Sequence, residues 1–368
     1  MNTLSGIEEI QDPEPLKTKE DAEKHILDIN QKAAWDYAEY QKMEKSFAGP
    51  KRIIMHCSDG RIDMSMFYDN PFERFRNPII PMAGNILILK DEFRNAQTIK
   101  TLDDFYSNNR SYLNELFNFV FSKLIKENPD AIFDLQSHSA SPNEAHHGCG
   151  AHSSDTANAL TETAKLAYLI SKWDPSLQII RTHNCTDQGR IYPAFLFDNT
   201  ALNSKGVKTG IAEFNQITGK FNPQSKMMED LGGPMPIFSK MKNNHFNIDT
   251  KNHAEQTILV SNTPFAHHRG ERQALRLAWH PEADFLLTII KKLAGIIQKN
   301  YLNRHPDAPI ILHLDIPQAK KPNPQISETA KELMNKAALD PEIANLVEQK
   351  QMFIIKTITD AETYRTRF

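Results

Sequence analysis

Cysteine and histidine side chains are grouped in this sequence in a way that could hold a metal ion. Cys57 opens the run Cys57-Ser58-Asp59-Gly60-Arg61, and a second group gathers His138, His146, His147, Cys149 and His152. Two thiolates and an imidazole drawn from separate strand ends can supply three tetrahedral zinc ligands. Three protein ligands leave a fourth position to water, which is the catalytic rather than the structural arrangement. Asp59 and Arg61 share the turn that follows Cys57. Arg61 can hold the Asp59 carboxylate by a charge-assisted contact, and that carboxylate can then accept a hydrogen bond from water on the metal. Two thiolates cancel the charge of Zn2+, so such a centre acidifies its water less than a three-histidine site does. The protein must therefore add orientation and a proton acceptor, although the water still ionises far below its free pKa of about 15.7.

Plainer readings stand beside these. Cys57 could be a buried structural thiol, or a nucleophile served by a histidine base. Asp59 and Arg61 could form an ordinary surface ion pair. His56 precedes Cys57 on a strand, so its side chain takes the other face and reads as a core or supporting group. His147 and His152 read as solvated loop or helix-start residues, with a proton-shuttle role as the alternative. His183 and Cys185, in Arg181-Thr-His-Asn-Cys185, read as structural. His267 and His268 are assigned no chemistry.

The elements that must position these residues are an alternation of strands and helices. Arg52-Ile-Ile-Met-His-Cys57 is a short apolar run that leaves a sheet at Ser58-Asp59-Gly60. A second strand runs from Pro78 towards Asn85. Leu113, Leu116, Phe117, Val120, Phe121 and Leu124 recur at helical spacing until Asn128-Pro129, after which Ala131–Gln136 reads as a third strand. Residues 151–172 read as a helix and Leu177–Ile180 as a strand. This pattern predicts an α/β fold, a mostly parallel β-sheet flanked by helices, with sites at the C-terminal ends of strands. Cys57 and His138 both fall at such ends. Ahead of them, residues 1–50 read as an N-terminal helical arm, free of Pro and Gly from Lys19 to Phe47, that packs on the next domain.

A degenerate internal repeat follows. Gln256–Asn262 echoes Lys51–Cys57, a helix from Asp284 to about Leu302 comes next, and His305-Pro-Asp-Ala matches Asn128-Pro-Asp-Ala. That alignment puts Asn262 at Cys57 and Asp315 at His138. No cysteine follows Cys185, so the second half lacks the constellation. The division expected is an arm at 1–50, a zinc-bearing domain at 51–225 and a degenerate domain without a metal site at 226–368.

Composition sets outer bounds. The 368 residues carry a formal net charge of −3, which argues against a basic nucleic-acid surface. Three cysteines exclude a disulfide scaffold and suit a reducing compartment. The apolar run at Phe285–Ile297 is interrupted by Lys291 and Lys292, too short and too charged for a membrane span. The acidic start MNTLSGIEEIQDPEP is unlike a signal peptide, so a cytoplasmic protein is expected.

The chain resembles the β-class carbonic anhydrases across about residues 51–190. Cys57-Ser-Asp59-Gly-Arg61 is similar to the family's Cys-x-Asp-x-Arg. Ala83-Gly84-Asn85 looks like the end of its Arg-Asn-Ala-Gly-Asn loop, with Pro81 and Met82 replacing the first two residues, and a strand ending in histidine is followed by Cys149-Gly150. The family's His-x-x-Cys spacing would select His146, whereas the strand ending selects His138 and makes Ser139–Gly148 an insertion. A long gap at this point, and a degenerate second domain without zinc, resemble the carboxysomal branch, so His138 is the choice. The resemblance implies a zinc-dependent lyase for the reversible hydration of carbon dioxide to bicarbonate and a proton. Zn2+ would sit on Cys57, His138 and Cys149, Asp59 would orient the nucleophile, Arg61 would hold Asp59, and the backbone at Gly84 would line the pocket. It also implies a homodimer or an intrachain pseudo-dimer, with a carboxysome as a possible setting. The alternative is a non-catalytic zinc protein, structural or regulatory, in which Asp59 closes the fourth position.

Overall fold

The computed structural model describes residues 14–47, 51–58, 75–139, 149–152, 155–185, 190–194, 255–262, 274–318, 323–360, 362–363 and 365–368. Two five-stranded sheets organise them. The first contains β1 (Arg52–His56), β2 (Ile79–Pro81), β3 (Ile132–Ser139), β4 (Ile179–Cys185) and β5 (Arg190–Pro193), in the order β2-β1-β3-β4-β5. The second contains β6 (Thr257–Val260), β7 (Ala274–Leu277), β8 (Ile310–Gln318), β9 (Met352–Asp360) and β10 (Thr366–Arg367), in the order β7-β6-β8-β9-β10. Each sheet pairs its strands in parallel except the last, which is antiparallel. The fold is therefore α/β with mostly parallel sheets flanked by helices. Central parallel strands are covered on both faces, which is why β1 and β6 read as continuous apolar runs.

The two sheets meet through β2 and β7. The Arg276 amide donates to Ser58 O at 3.0 Å and the Ala278 amide to Pro81 O at 2.8 Å. One apolar core runs through both halves. It joins Phe117, Phe121 and Phe133 of the first to Trp279, Ile290 and Leu312 of the second.

Matching sheet orders bear on the repeat, and the register refines it. In both halves the Pro-Asp-Ala turn closes by the same bond, Ala131 N to Asn128 O and Ala308 N to His305 O, each 3.1 Å. Aligning these turns sets Asp315 at the level of His138, as expected. Ile54 pairs with Asp134, and Thr257 pairs with Ile311, the residue equivalent to Asp134. Ile54 therefore corresponds to Thr257, and Cys57 to Val260. The expectation that Asn262 matches Cys57 is corrected by two residues, and Asn262 falls at the level of Asp59. Ser58 and Ser261 then coincide, and each donates its amide to the same place, Met82 O and Leu277 O. At the level of Gly84 the second half carries Trp279. The buried indole donates from Nε1 to Asp315 O at 2.8 Å, so it reaches the strand position equivalent to His138.

The N-terminal helix is Lys19–Met43, started by a capping box in which Asp21 N donates to Thr18 Oγ1 and Thr18 N to Asp21 Oδ2. It does not rest on the adjacent half alone. Ala22 and Ile26 pack on Ile311 and Ile355 of the second sheet, while Ala33 and Tyr40 pack with Phe75 of the first half. Leu16 exchanges two hydrogen bonds with the Gln256 amide group. The predicted helix at 151–172 divides into a short turn, Gly150–His152, and a helix, Thr156–Trp173, capped by Asp155 on the amides of Ala157 and Asn158. The expected domain boundary at 225/226 lies outside the described residues. Among the described residues no helix is long and apolar enough to cross a membrane.

Candidate metal centre

Three side chains converge at the C-terminal ends of parallel strands. Cys57 follows β1 directly, His138 is the penultimate residue of β3, and Cys149 precedes the turn Gly150–His152. Their ligand atoms all lie within 4.8 Å of one another. The sulfurs are 3.7 Å apart, far beyond a disulfide of about 2.05 Å. Two thiolates at about 2.3 Å from a tetrahedral zinc ion stand about 3.8 Å apart, so the observed spacing fits one shared ion. All three residues are buried, with exposures of 5% for Cys57 and 2% each for His138 and Cys149. The arrangement can thus hold a metal ion.

The turn Ala83–Asn85 connects the ligand-bearing segments. Gly84 N donates to Cys57 Sγ at 3.1 Å, and Asn85 Nδ2 donates to Gln136 O at 2.6 Å, two residues before His138 on β3. Gly84 adopts φ 61°, in the left-handed region that glycine enters without steric cost. An amide N–H aimed at sulfur favours the thiolate over the thiol, the form a metal needs.

His152 is not a solvated helix-start residue, as the sequence suggested. It is buried, with Nε2 2.7 Å from Gly84 O and its backbone amide bonded to Cys149 O at 3.0 Å. His56 matches the expectation of a supporting group. Its Nδ1 donates to Cys57 O, and burial, reinforced by the positive charge of Arg276, pulls the ring down to about 4, so it is neutral at pH 7. His183 and Cys185 lie on β4 rather than beyond its end. His183 Nδ1 is 2.8 Å from Ser137 Oγ, and Ser137 takes the opposite face of β3 from its neighbour His138. Asp59, Arg61, His146, His147, His267 and His268 lie outside the described residues.

Sequence reasoning missed the polar support beneath His138. Asp134, Gln136 and His138 share one face of β3 at strand period. Gln136 Nε2 donates to Thr182 Oγ1 at 3.4 Å, Thr182 Oγ1 donates to Asp134 Oδ1 at 2.8 Å, and Arg52 Nη1 lies 3.2 Å from Asp134 Oδ2. Burial raises the Asp134 carboxyl above its ordinary value, opposed by the Arg52 charge and the Thr182 bond. The signal was present as polar residues alternating through an otherwise apolar strand.

No protein-family model matches this chain, and no curated protein matches it at a significant level.

Proposed function

We propose that this protein binds one zinc ion on Cys57, His138 and Cys149 and uses it to hydrate carbon dioxide reversibly to bicarbonate and a proton. The observation that carries the reading is the convergence of two sulfurs and one imidazole within 4.8 Å, with a sulfur spacing that fits a single ion. Two thiolates with an imidazole favour zinc over hard, oxygen-seeking cations. Bound there, zinc supplies a Lewis acid that lets a water lose its proton near neutral pH.

The chain's own residues supply the rest. Gly84 N–H shares the negative charge of the Cys57 sulfur. Asn85 ties the same turn to the strand that carries His138. Asp59 would accept a hydrogen bond from the attacking oxygen and so aim its lone pair at carbon dioxide, with Arg61 holding the carboxylate. These two roles rest on the β-carbonic-anhydrase resemblance of Cys57-Ser-Asp59-Gly-Arg61. The same resemblance makes the two halves an intrachain counterpart of a dimer with one live site, and it alone motivates a carboxysomal setting.

Metal analysis combined with stopped-flow hydration of carbon dioxide tests the proposal. Purified protein should carry about one zinc per chain and accelerate hydration between pH 7 and about 9. Asp59→Asn and Arg61→Ala should keep the zinc and lose most turnover. Zinc-loaded protein no faster than buffer would replace this reading with a non-catalytic zinc protein.

A further inference from the structure

The Gly84 residue is held from both sides. Its N–H points at the sulfur of Cys57 and its carbonyl receives His152. A carbonyl can only accept, so His152 Nε2 carries the proton in this contact. His152 in turn sits in the turn that begins at Cys149, with its own amide on Cys149 O. One buried imidazole therefore ties the Cys149 segment to the turn whose amide donates to the Cys57 sulfur. The approach is close: a Cβ at Gly84 would lie 2.6 Å from His152 Nε2 and 2.7 Å from Ala151 Cβ.

We propose that His152 is a positioning residue of the metal centre, fixing the Gly84 backbone so that its N–H stays on the Cys57 sulfur. With its carbonyl pinned by His152 and φ held at 61°, Gly84 has little freedom to turn its amide away from the sulfur. Loss of that donor leaves more charge on the thiolate and loosens the turn that Asn85 ties to β3. Partners behind the ligands of this kind change metal affinity by about 10–100-fold. The inference rests on the reading that Cys57, His138 and Cys149 hold a metal.

The test uses Zn2+ and Co2+ on the full chain. His152→Phe keeps a ring and removes the donor, and His152→Gln places an amide nitrogen near the position of Nε2. In competition with a chelator, His152→Phe should bind Zn2+ about 10-fold or more weakly, and its thiolate-to-cobalt charge-transfer band should shift. His152→Gln should stay close to wild type in both. Wild-type affinity and an unshifted band in His152→Phe would overturn the proposal. An equal loss in both variants would also overturn it, because side-chain shape rather than the hydrogen bond would then matter. If His152→Phe does not fold, His152→Gln decides: it keeps its zinc or the proposal falls. A wild-type chain that binds neither ion strikes the metal reading itself, a failure visible before any variant is made.

Discussion

The sulfurs of Cys57 and Cys149 stand 3.7 Å apart although 92 positions separate them in the chain. Neither segment dictates that spacing locally. β1 delivers Cys57 at its C-terminal end, the Gly150–His152 turn delivers Cys149, and the Ala83–Asn85 turn fastens the first to the second through Gly84 and His152.

Removing one ligand should remove the metal. His138→Ala or Cys149→Ser should lower zinc from about one per chain to near zero by elemental analysis, whereas His146→Ala should leave it unchanged. Zinc retained by His138→Ala and lost by His146→Ala would reverse the assignment.

Gly84→Ala should be costly out of proportion to one methyl group. The new Cβ would collide with His152 and Ala151, in a backbone region that L-residues avoid at about 1–2 kcal/mol. Overpacking adds about 1–3 kcal/mol. Urea unfolding should show a loss of roughly 2–5 kcal/mol and chelator titration a weaker zinc site. A variant as stable as wild type would contradict the close approach.

Arg52→Ala should destabilise most at neutral pH. It leaves the buried Asp134 carboxylate with Thr182 in place of a cation, a change that costs about 3–5 kcal/mol when the carboxylate stays charged. Burial already raises this carboxyl, so its contribution is greatest below the unfolded value and falls as pH rises. The variant raises it further, and the deficit should shrink towards pH 4. A deficit independent of pH would show that the loss comes from packing.

The second half carries a pH dependence of the opposite sign. His280 accepts the Glu282 amide at Nδ1, 3.1 Å, and its Nε2 lies 3.3 Å from Leu87 O. Burial holds it near 3. The Glu282 carboxylate, 4.0 Å from Nδ1, does not reverse this, because the Nδ1 lone pair is already engaged. His313 is pulled to about 4, chiefly by burial. Both folded values lie below the ordinary 6.5, so the unfolded chain binds the protons that the folded chain refuses. This stability is complete above about 6.5 and is lost as pH falls towards the folded values, by about 1.4 kcal/mol per histidine for each pH unit. His280→Gln should flatten the fall in unfolding free energy between pH 6.5 and 5 by one such share. Parallel curves for the two proteins would rule out His280 as a source.

Much of the site was legible from residue types and local punctuation. Cys57 after Met55-His56 and His138 closing an apolar run are donors at strand ends, which parallel α/β topology brings to one edge, while Cys149 before Gly150 and the Ala-Gly-Asn turn stood out by residue type alone. The alternation of faces along β1 and β3 is likewise a property of the chain itself. The repeat was readable as a pattern, but its alignment was not. A shift of two residues leaves every side chain on the same face, so periodicity cannot distinguish Val260 from Asn262 as the partner of Cys57. Only the ladder, with Ile54 on Asp134 and Thr257 on Ile311, decides it. The burial of His152 was equally beyond reach, because it depends on the approach of Gly84, 68 positions earlier. Residue types and periodicity were enough to identify the atoms that could bind a metal and to put Cys57 and His138 at the ends of their strands. The tertiary structure decided which of them meet, because register and through-space approach are set by packing between distant segments and leave no mark in local spacing.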